Sequence, residues 1–161
     1  MQTKSILIFS YGNPSRGDDA LGPSILNRLE SLKIKSDLYD NISLLTDFQL
    51  QIEHALDLQG HDRILFVDAS LCAQPPFEFQ EITAEQDISY TTHAMSPQSV
   101  LSVYQQIHQS PPPTSFLLSI RGYTFELGEP ISPLAQDNLE RGLVFIRSLI
   151  KERESWGSCS S

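Results

Sequence analysis

Two adjacent carboxylates, Asp18 and Asp19, follow the first apolar run of this chain and precede a helical pattern. Asp68 ends a second apolar run that starts at Arg63, and His93 opens another helical pattern after two threonines. In a parallel sheet the carboxyl ends of the strands meet at one edge, so Asp19, Asp68 and His93 can converge there. Two carboxylates and an imidazole form an incomplete set of metal ligands, with positions left for water or a substrate.

The donor set of Asp19, Asp68 and His93 suits a borderline divalent ion such as nickel or zinc better than magnesium, which prefers oxygen ligands alone. Each residue also has an ordinary interpretation. Asp18 or Asp19 can cap the helix that follows, but only one of them can do so, which leaves the second acid unexplained. Asp68 can cap a turn, and His93 can be an exposed or capping histidine.

Other catalytic or binding motifs fit poorly. Gly12 and Gly17 have the spacing of a phosphate-binding loop, but two carboxylates follow where that loop needs lysine and serine or threonine. The carboxylates would repel a triphosphate, so we expect no nucleotide binding. A serine nucleophile lacks its GxSxG turn. The sequence places no histidine beside Cys72, which we interpret as an ordinary cysteine.

The elements that must position these residues alternate between strand and helix. Strand patterns cover residues 4–10, 36–45, 63–69, 77–82 and 115–120, and helical patterns cover 18–32, 47–58, 93–107 and 132–150. Such alternation predicts a doubly wound α/β domain. The strand at 77–82 follows its predecessor without room for a helix, so we expect it to run antiparallel. We predict one domain over residues 1–152 and a flexible tail over 153–161.

Composition narrows the possible functions. With 161 residues and 40% hydrophobic content, the chain can form one domain with a real core. The net charge of −9 and the isoelectric point near 4.7 argue against binding nucleic acid or an anionic membrane. Cys72 and Cys159 form no motif and fit a reducing compartment. No signal peptide or apolar run long enough to span a bilayer is visible, so we expect a soluble, cytoplasmic protein.

Several of these segments, taken together, resemble the hydrogenase maturation endopeptidases. The segments that carry the resemblance are Gly12-Asn13, Asp18-Asp19-Ala20-Leu21-Gly22, Val67-Asp68-Ala69 and Thr92-His93, in that order and spacing. Residues 12–23 look most like the branch that processes bidirectional, NAD(P)-linked hydrogenases. Arg121-Gly122-Tyr123 and residues 125–129 add to that likeness.

The resemblance implies a three-layer α/β/α sandwich around a five-stranded, mostly parallel sheet with one antiparallel strand. It implies an endopeptidase that removes the C-terminal extension from the precursor of the nickel–iron hydrogenase large subunit, after nickel has been inserted. The family's metal-contacting acids fall on Asp19 and Asp68, and its histidine falls on His93. Nickel would be carried by the precursor, which is the expected partner. We expect no nucleotide cofactor and a monomer.

The same resemblance leaves three questions open. Attack on the peptide bond by a carboxylate and by metal-activated water are both compatible with Asp19, Asp68 and His93. A non-catalytic nickel-sensing protein or chaperone on the same fold is the alternative function, and a zinc aminopeptidase is a weaker one. Asp18 is expected to cap the helix or support Asp19, and Asn13 to hold the loop or donate to a developing oxyanion.

Overall fold

The computed structural model describes residues 4–86 and 95–156. Its five strands form one sheet in the order β2-β1-β3-β5-β4. The strands are β1 Ile6–Ser10, β2 Ile42–Leu45, β3 Arg63–Ser70, β4 Phe77–Ile82 and β5 Thr114–Arg121. The first three and β5 pair in parallel, and β4 pairs antiparallel with β5 at the edge. The predicted mixed sheet and its antiparallel strand are therefore confirmed.

Helices cover both faces of this sheet. They are α1 Leu21–Lys35, α2 Pro97–His108 and α3 Pro133–Lys151. One apolar core joins α1 and α3 to the face that carries Ile6 and Ile8. A second core joins α2 and the 3₁₀ helix Ile52–Leu58 to the face that carries Leu7 and Phe9. Because alternate side chains of β1 enter different cores, the strand is apolar at four consecutive positions.

The helix predicted at 47–58 is wrong in type. Only Ile52–Leu58 is helical, and it is a 3₁₀ helix. Apolar residues four apart suggested an α-helical stripe, yet Phe48, Ile52 and Leu56 are all more than half exposed. The buried contacts come from Ala55 and Leu58, which lie three residues apart and therefore share a face of a 3₁₀ helix.

Helix starts also differ from the sequence patterns. The N-cap of α1 is Ala20, which makes no side-chain capping bond, so neither Asp18 nor Asp19 caps this helix. A 3₁₀ turn, Gly17–Ala20, precedes it. Helix α2 begins at Pro97 with Ser96 as its N-cap, and the predicted start at His93 lies outside the described residues.

The tail predicted over 153–161 does not begin at residue 153. Arg153 is 5% exposed, and its guanidinium donates to the carbonyl oxygen of Asp40 at 2.7 Å. The ring of Trp156 is nearly buried and packs edge-on against Phe116, with 5.5 Å between ring centroids. These contacts fasten residues 153–156 to the α1/α3 core, and the remaining positions of the predicted tail lie outside the described residues.

No helix within residues 4–86 and 95–156 is long and apolar enough to cross a membrane.

Truncating Trp156 to alanine is expected to lower the free energy of unfolding by about 3 to 5 kcal/mol, because a large buried ring leaves a cavity. The matched control is Leu134→Ala on the exposed side of α3, where the change should stay within about 0.5 kcal/mol. Urea denaturation of both variants measures the difference. Equal effects of the two substitutions would contradict the packing of Trp156 against the core.

Candidate functional site

The sheet order creates a crevice at the carboxyl ends of β1 and β3. From β1 the chain crosses to β2 on one side, and from β2 it returns to β3 on the other side. In open α/β sheets such a reversal is where ligands bind. Asp19 lies in the turn that follows β1, and Asp68 lies near the carboxyl end of β3, paired with Ser119 of β5. Both acids therefore lie at the same edge of the sheet, as the sequence predicted.

Asp68 is a carboxylate that lies close to the Tyr11 hydroxyl and to Asp19. Its Oδ2 accepts a hydrogen bond from the Tyr11 hydroxyl at 3.0 Å. The pKa of Asp68 is raised to about 6, mainly by burial and to a smaller extent by the negative charge of Asp19. The hydrogen bond from Tyr11 and the nearby Ser119 side chain lower this pKa and only partly offset these effects. The protonated and charged forms of the Asp68 carboxyl are therefore about equally populated near pH 6.

Asp19 is anchored by the loop that precedes it. Its Oδ2 accepts a hydrogen bond from the backbone N–H of Asn13 at 2.8 Å, and its own N–H donates to the carbonyl oxygen of Arg16 at 3.0 Å. The charges of Asp19 and Asp68 both raise the pKa of Tyr11, after burial as the largest cause. Tyr11, Asp19 and Asp68 therefore interact electrostatically, and the Tyr11 hydroxyl stays protonated at neutral pH.

Each of the two carboxylates is held through its Oδ2. Asp68 Oδ1 is buried and accepts no hydrogen bond from the residues that the structure describes. Asp19 binds Asn13 through Oδ2, which leaves Oδ1 on the side of Gly12. Two carboxylate oxygens of this kind fit part of a divalent metal site. Within the described ranges, no three histidine, cysteine or acidic side chains are grouped as a metal site.

The predicted third ligand, His93, lies outside the described residues. The nearest described segment is joined to the loop after β2, because the Met95 N–H donates to the carbonyl oxygen of Leu50 at 3.3 Å. That loop in turn reaches the first motif, since the Gly12 N–H donates to the carbonyl oxygen of Asp47 at 3.0 Å. The role of His93 stays a prediction.

Asn13 holds the loop, which was one of its two expected roles. Its Oδ1 accepts a hydrogen bond from the Ser15 N–H at 2.9 Å, and its carbonyl oxygen accepts one from the Arg16 N–H at 3.2 Å. A polar side chain that closes its own turn in this way fixes the backbone that anchors Asp19.

Gly12 allows the close approach between the first loop and Asp19. Its φ is +150°, and a Cβ at this position would lie 2.1 Å from the carbonyl oxygen of Asp19 and 3.1 Å from its Oδ1. Any side chain would therefore push Asp19 away from its position.

The Gly12→Ala substitution is expected to cost about 3 kcal/mol or more, because it combines an unfavourable φ with a backbone clash. Gly60→Ala is the matched control, since Gly60 also has a positive φ, +89°, but open space around its Cβ position. Its expected cost is about 1 kcal/mol. Chemical denaturation of the two variants tests the difference, and similar costs would contradict the close approach.

Asp18 has a structural role that differs from the predicted cap. It is fully buried and accepts four hydrogen bonds, from the backbone N–H groups of Tyr123, Thr124 and Ser132 and from the Ser132 hydroxyl. Burial alone would raise its pKa, but these hydrogen bonds outweigh burial and lower the pKa of Asp18. Asp18 thus ties the first motif to the loop before α3, next to Asp19.

Sequence reasoning missed two residues near the site. Tyr11 was not among the candidate residues, although a tyrosine directly before a loop motif can present a hydroxyl there. His54 was not among the candidate residues; it is 6% exposed and packs edge-on against Phe9. Its Nδ1 accepts the Gln51 N–H, so its Nε2 carries the proton and donates to Asp47 at 3.1 Å.

Comparison with solved structures shows what this fold is similar to. The [NiFe] hydrogenase maturation protease HycI from Thermococcus kodakarensis KOD1 matches with a TM-score of 0.69 and 23% identity, covering 92% of this chain and 93% of that chain. The hydrogenase maturating endopeptidase HybD from E. coli matches with a TM-score of 0.69 and 19% identity, with the same coverage. An endopeptidase from Escherichia coli matches with a TM-score of 0.70 and 20% identity, again over 92% and 93%.

No family model matches the sequence, and no curated protein matches it significantly. The structural likeness nevertheless extends over nearly the whole of both chains. This chain therefore has the α/β fold of the hydrogenase maturation proteases.

Proposed function

We propose that this protein is an endopeptidase that removes the C-terminal extension of the nickel-loaded precursor of a nickel–iron hydrogenase large subunit. The observation that carries the proposal is the pair Asp19 and Asp68 at the crevice between β1 and β3, each anchored through Oδ2. The fold shared with proteins named as hydrogenase maturation proteases supports it.

Asp19, Asp68 and His93 are the residues that would contact nickel held by the precursor. Their contact would dock the scissile peptide bond at the crevice, and proximity would supply much of the rate. A precursor without nickel would lack this docking contact, so cleavage would wait for metal insertion.

The direct test is incubation of the purified protein with nickel-loaded and nickel-free precursor, followed by mass spectrometry of the precursor. We expect shortening of the loaded form only. Asp19→Asn, Asp68→Asn and His93→Ala should each abolish shortening, while Asp57→Asn, at an exposed acid of the 52–58 helix, should leave it unchanged. Normal shortening by all three site variants would overturn the assignment of the site.

The alternative function, a nickel-sensing binding protein, predicts a different result in the same experiment. The wild-type protein would bind the loaded precursor and leave its mass unchanged. Co-elution of the two proteins without a shorter product would therefore replace the protease assignment with the binding one.

Three finer properties complete the proposal. The protein would act as a cytoplasmic monomer, on a precursor from the bidirectional, NAD(P)-linked class of hydrogenase. The motif Arg121-Gly122-Tyr123 supports this class, and the low cysteine content suits a reducing compartment. Light scattering of the purified protein tests the monomer, and cleavage of precursors from different hydrogenase classes tests the substrate.

A further inference from the structure

The backbone of Tyr11 is fixed from two sides. Its N–H donates to the carbonyl oxygen of Val67 at 3.1 Å, directly before Asp68 in β3. On the other side Gly22, in the first turn of α1, lies so close that a Cβ there would be 2.1 Å from the Tyr11 carbonyl oxygen. The Ser10 hydroxyl secures the same turn by donating to the Gly22 carbonyl oxygen at 2.6 Å. The start of the Tyr11 side chain therefore has a defined position relative to Asp68.

The ring of Tyr11 is held as well. It packs edge-on against Phe9, with 5.8 Å between centroids, and Phe9 is itself fully buried against Phe66 and His54. From this position the hydroxyl donates to Asp68 Oδ2 at 3.0 Å. The donor thus has contacts at its backbone, its ring and its hydroxyl, which is what orienting a carboxylate requires.

A carboxylate can turn about its last torsion, and it can bind a cation through one oxygen or through both. The Tyr11 hydroxyl limits this freedom at Asp68, because it binds Oδ2, whereas the buried Oδ1 has no hydrogen-bond partner among the described residues. We propose that Tyr11 is a positioning residue that orients the Asp68 carboxylate and presents its Oδ1 to the nickel-carrying precursor. This inference rests on the proposed function and adds a residue to its site.

The test is Tyr11→Phe, which keeps the ring and removes only the hydroxyl. We expect kcat/KM for the nickel-loaded precursor to fall by about 10- to 100-fold, the usual effect of losing a residue that orients a metal ligand. Tyr39→Phe is the matched control. Tyr39 is 2% exposed, and its hydroxyl has no hydrogen-bond partner among the described residues, so cleavage should be unchanged.

A second readout separates positioning from a general structural defect. Nickel-free precursor is used as an inhibitor of cleavage of the loaded form. We expect Tyr11→Phe to raise KM for the loaded precursor and to leave the inhibition constant of the nickel-free precursor as in wild type. A loosened fold would change both constants together.

A third measurement examines the contact in the protein alone. The stabilities of Tyr11→Phe, Asp68→Ala and the double variant are compared by urea denaturation. If the hydroxyl acts on Asp68, removing it should have little further effect once the carboxylate is gone, so the two substitutions should be non-additive. Additive effects would overturn the contact.

The outcomes also separate this inference from the function on which it rests. If the wild-type protein leaves the loaded precursor intact, the proposed function fails and the positioning role for that reaction fails with it. If the wild type and Tyr39→Phe cleave normally and Tyr11→Phe cleaves equally well, the function stands and only the positioning role is overturned. Loss confined to Tyr11→Phe supports both.

Discussion

Asp68→Asn is expected to stabilise the free protein above pH 6 while abolishing cleavage of the loaded precursor. Burial raises the pKa of the Asp68 carboxyl from 3.8 to about 6, so its charge is unfavourable in the folded protein at neutral pH. This rise in the pKa corresponds to at most about 3 kcal/mol. Asparagine removes the charge and can still accept the Tyr11 hydrogen bond through its own oxygen.

The sign of the pH dependence follows from proton binding. Between pH 3.8 and about 6 the folded protein holds the Asp68 proton more tightly than the unfolded chain, so the free energy of unfolding falls as pH rises through this window. The free energy of unfolding of Asp68→Asn should not show this fall. Its stability advantage over wild type should be near zero at pH 4, grow up to pH 6 and remain constant above it.

Urea denaturation at several pH values between 4 and 8 measures this advantage. The control is Asp57→Asn, at an exposed acid whose substitution should change the free energy of unfolding by little. Cleavage by Asp68→Asn should drop by about 1,000-fold or more, the scale on which losing one member of a catalytic unit acts. A destabilised Asp68→Asn variant, or a flat difference across this pH range, would contradict the prediction.

Asp18→Ala is expected to reduce the free energy of unfolding by about 3 to 5 kcal/mol. It removes the acceptor for three backbone N–H groups and one hydroxyl in a buried place, and hydrogen bonds to a charged group are among the strongest in proteins. Asp137→Ala, at an exposed acid of α3, is the control and should cost little.

The lowered pKa of Asp18 fixes the sign of its pH effect. Its contribution to stability is complete above the unfolded pKa of 3.8, and it is lost as pH falls through the lower pKa of the folded protein. Wild type should therefore lose stability below about pH 4 faster than Asp18→Ala does. If the two proteins instead lose stability in parallel on acidification, or if Asp18→Ala costs less than about 1 kcal/mol at neutral pH, the buried hydrogen bonds of Asp18 are not important for stability.

The elements around the site were largely predictable, because local patterns determine them. Residues 63–69 form a continuous apolar run, which predicts a strand buried on both faces, and β3 has this property. The 47–58 segment was predicted wrongly because its apolar residues recur at α-helical spacing. Packing against the sheet selected Ala55 and Leu58 instead and left the apparent stripe exposed.

In the candidate site, too, some features could be predicted from the sequence and others could not. Asp19 and Asp68 could be placed at one edge because strand order along the chain implies where parallel strands end. The different roles of Asp18 and Asp19 could not be predicted, since the two are neighbours with the same side chain. Asp18 binds Tyr123 and Ser132, which are more than 100 residues away along the chain.

The sequence by itself determined the order of strands and helices and the edge to which Asp19 and Asp68 belong, because both depend on local periodicity and on chain connectivity. Only the tertiary structure decided that Asp18 is a buried hydrogen-bond acceptor, that Asp68 has a raised pKa and that the Tyr11 hydroxyl is hydrogen-bonded to Asp68. Those properties depend on burial and on hydrogen bonds between distant segments, such as the 3.0 Å contact between Tyr11 and Asp68, and such distances exist only once the chain has folded.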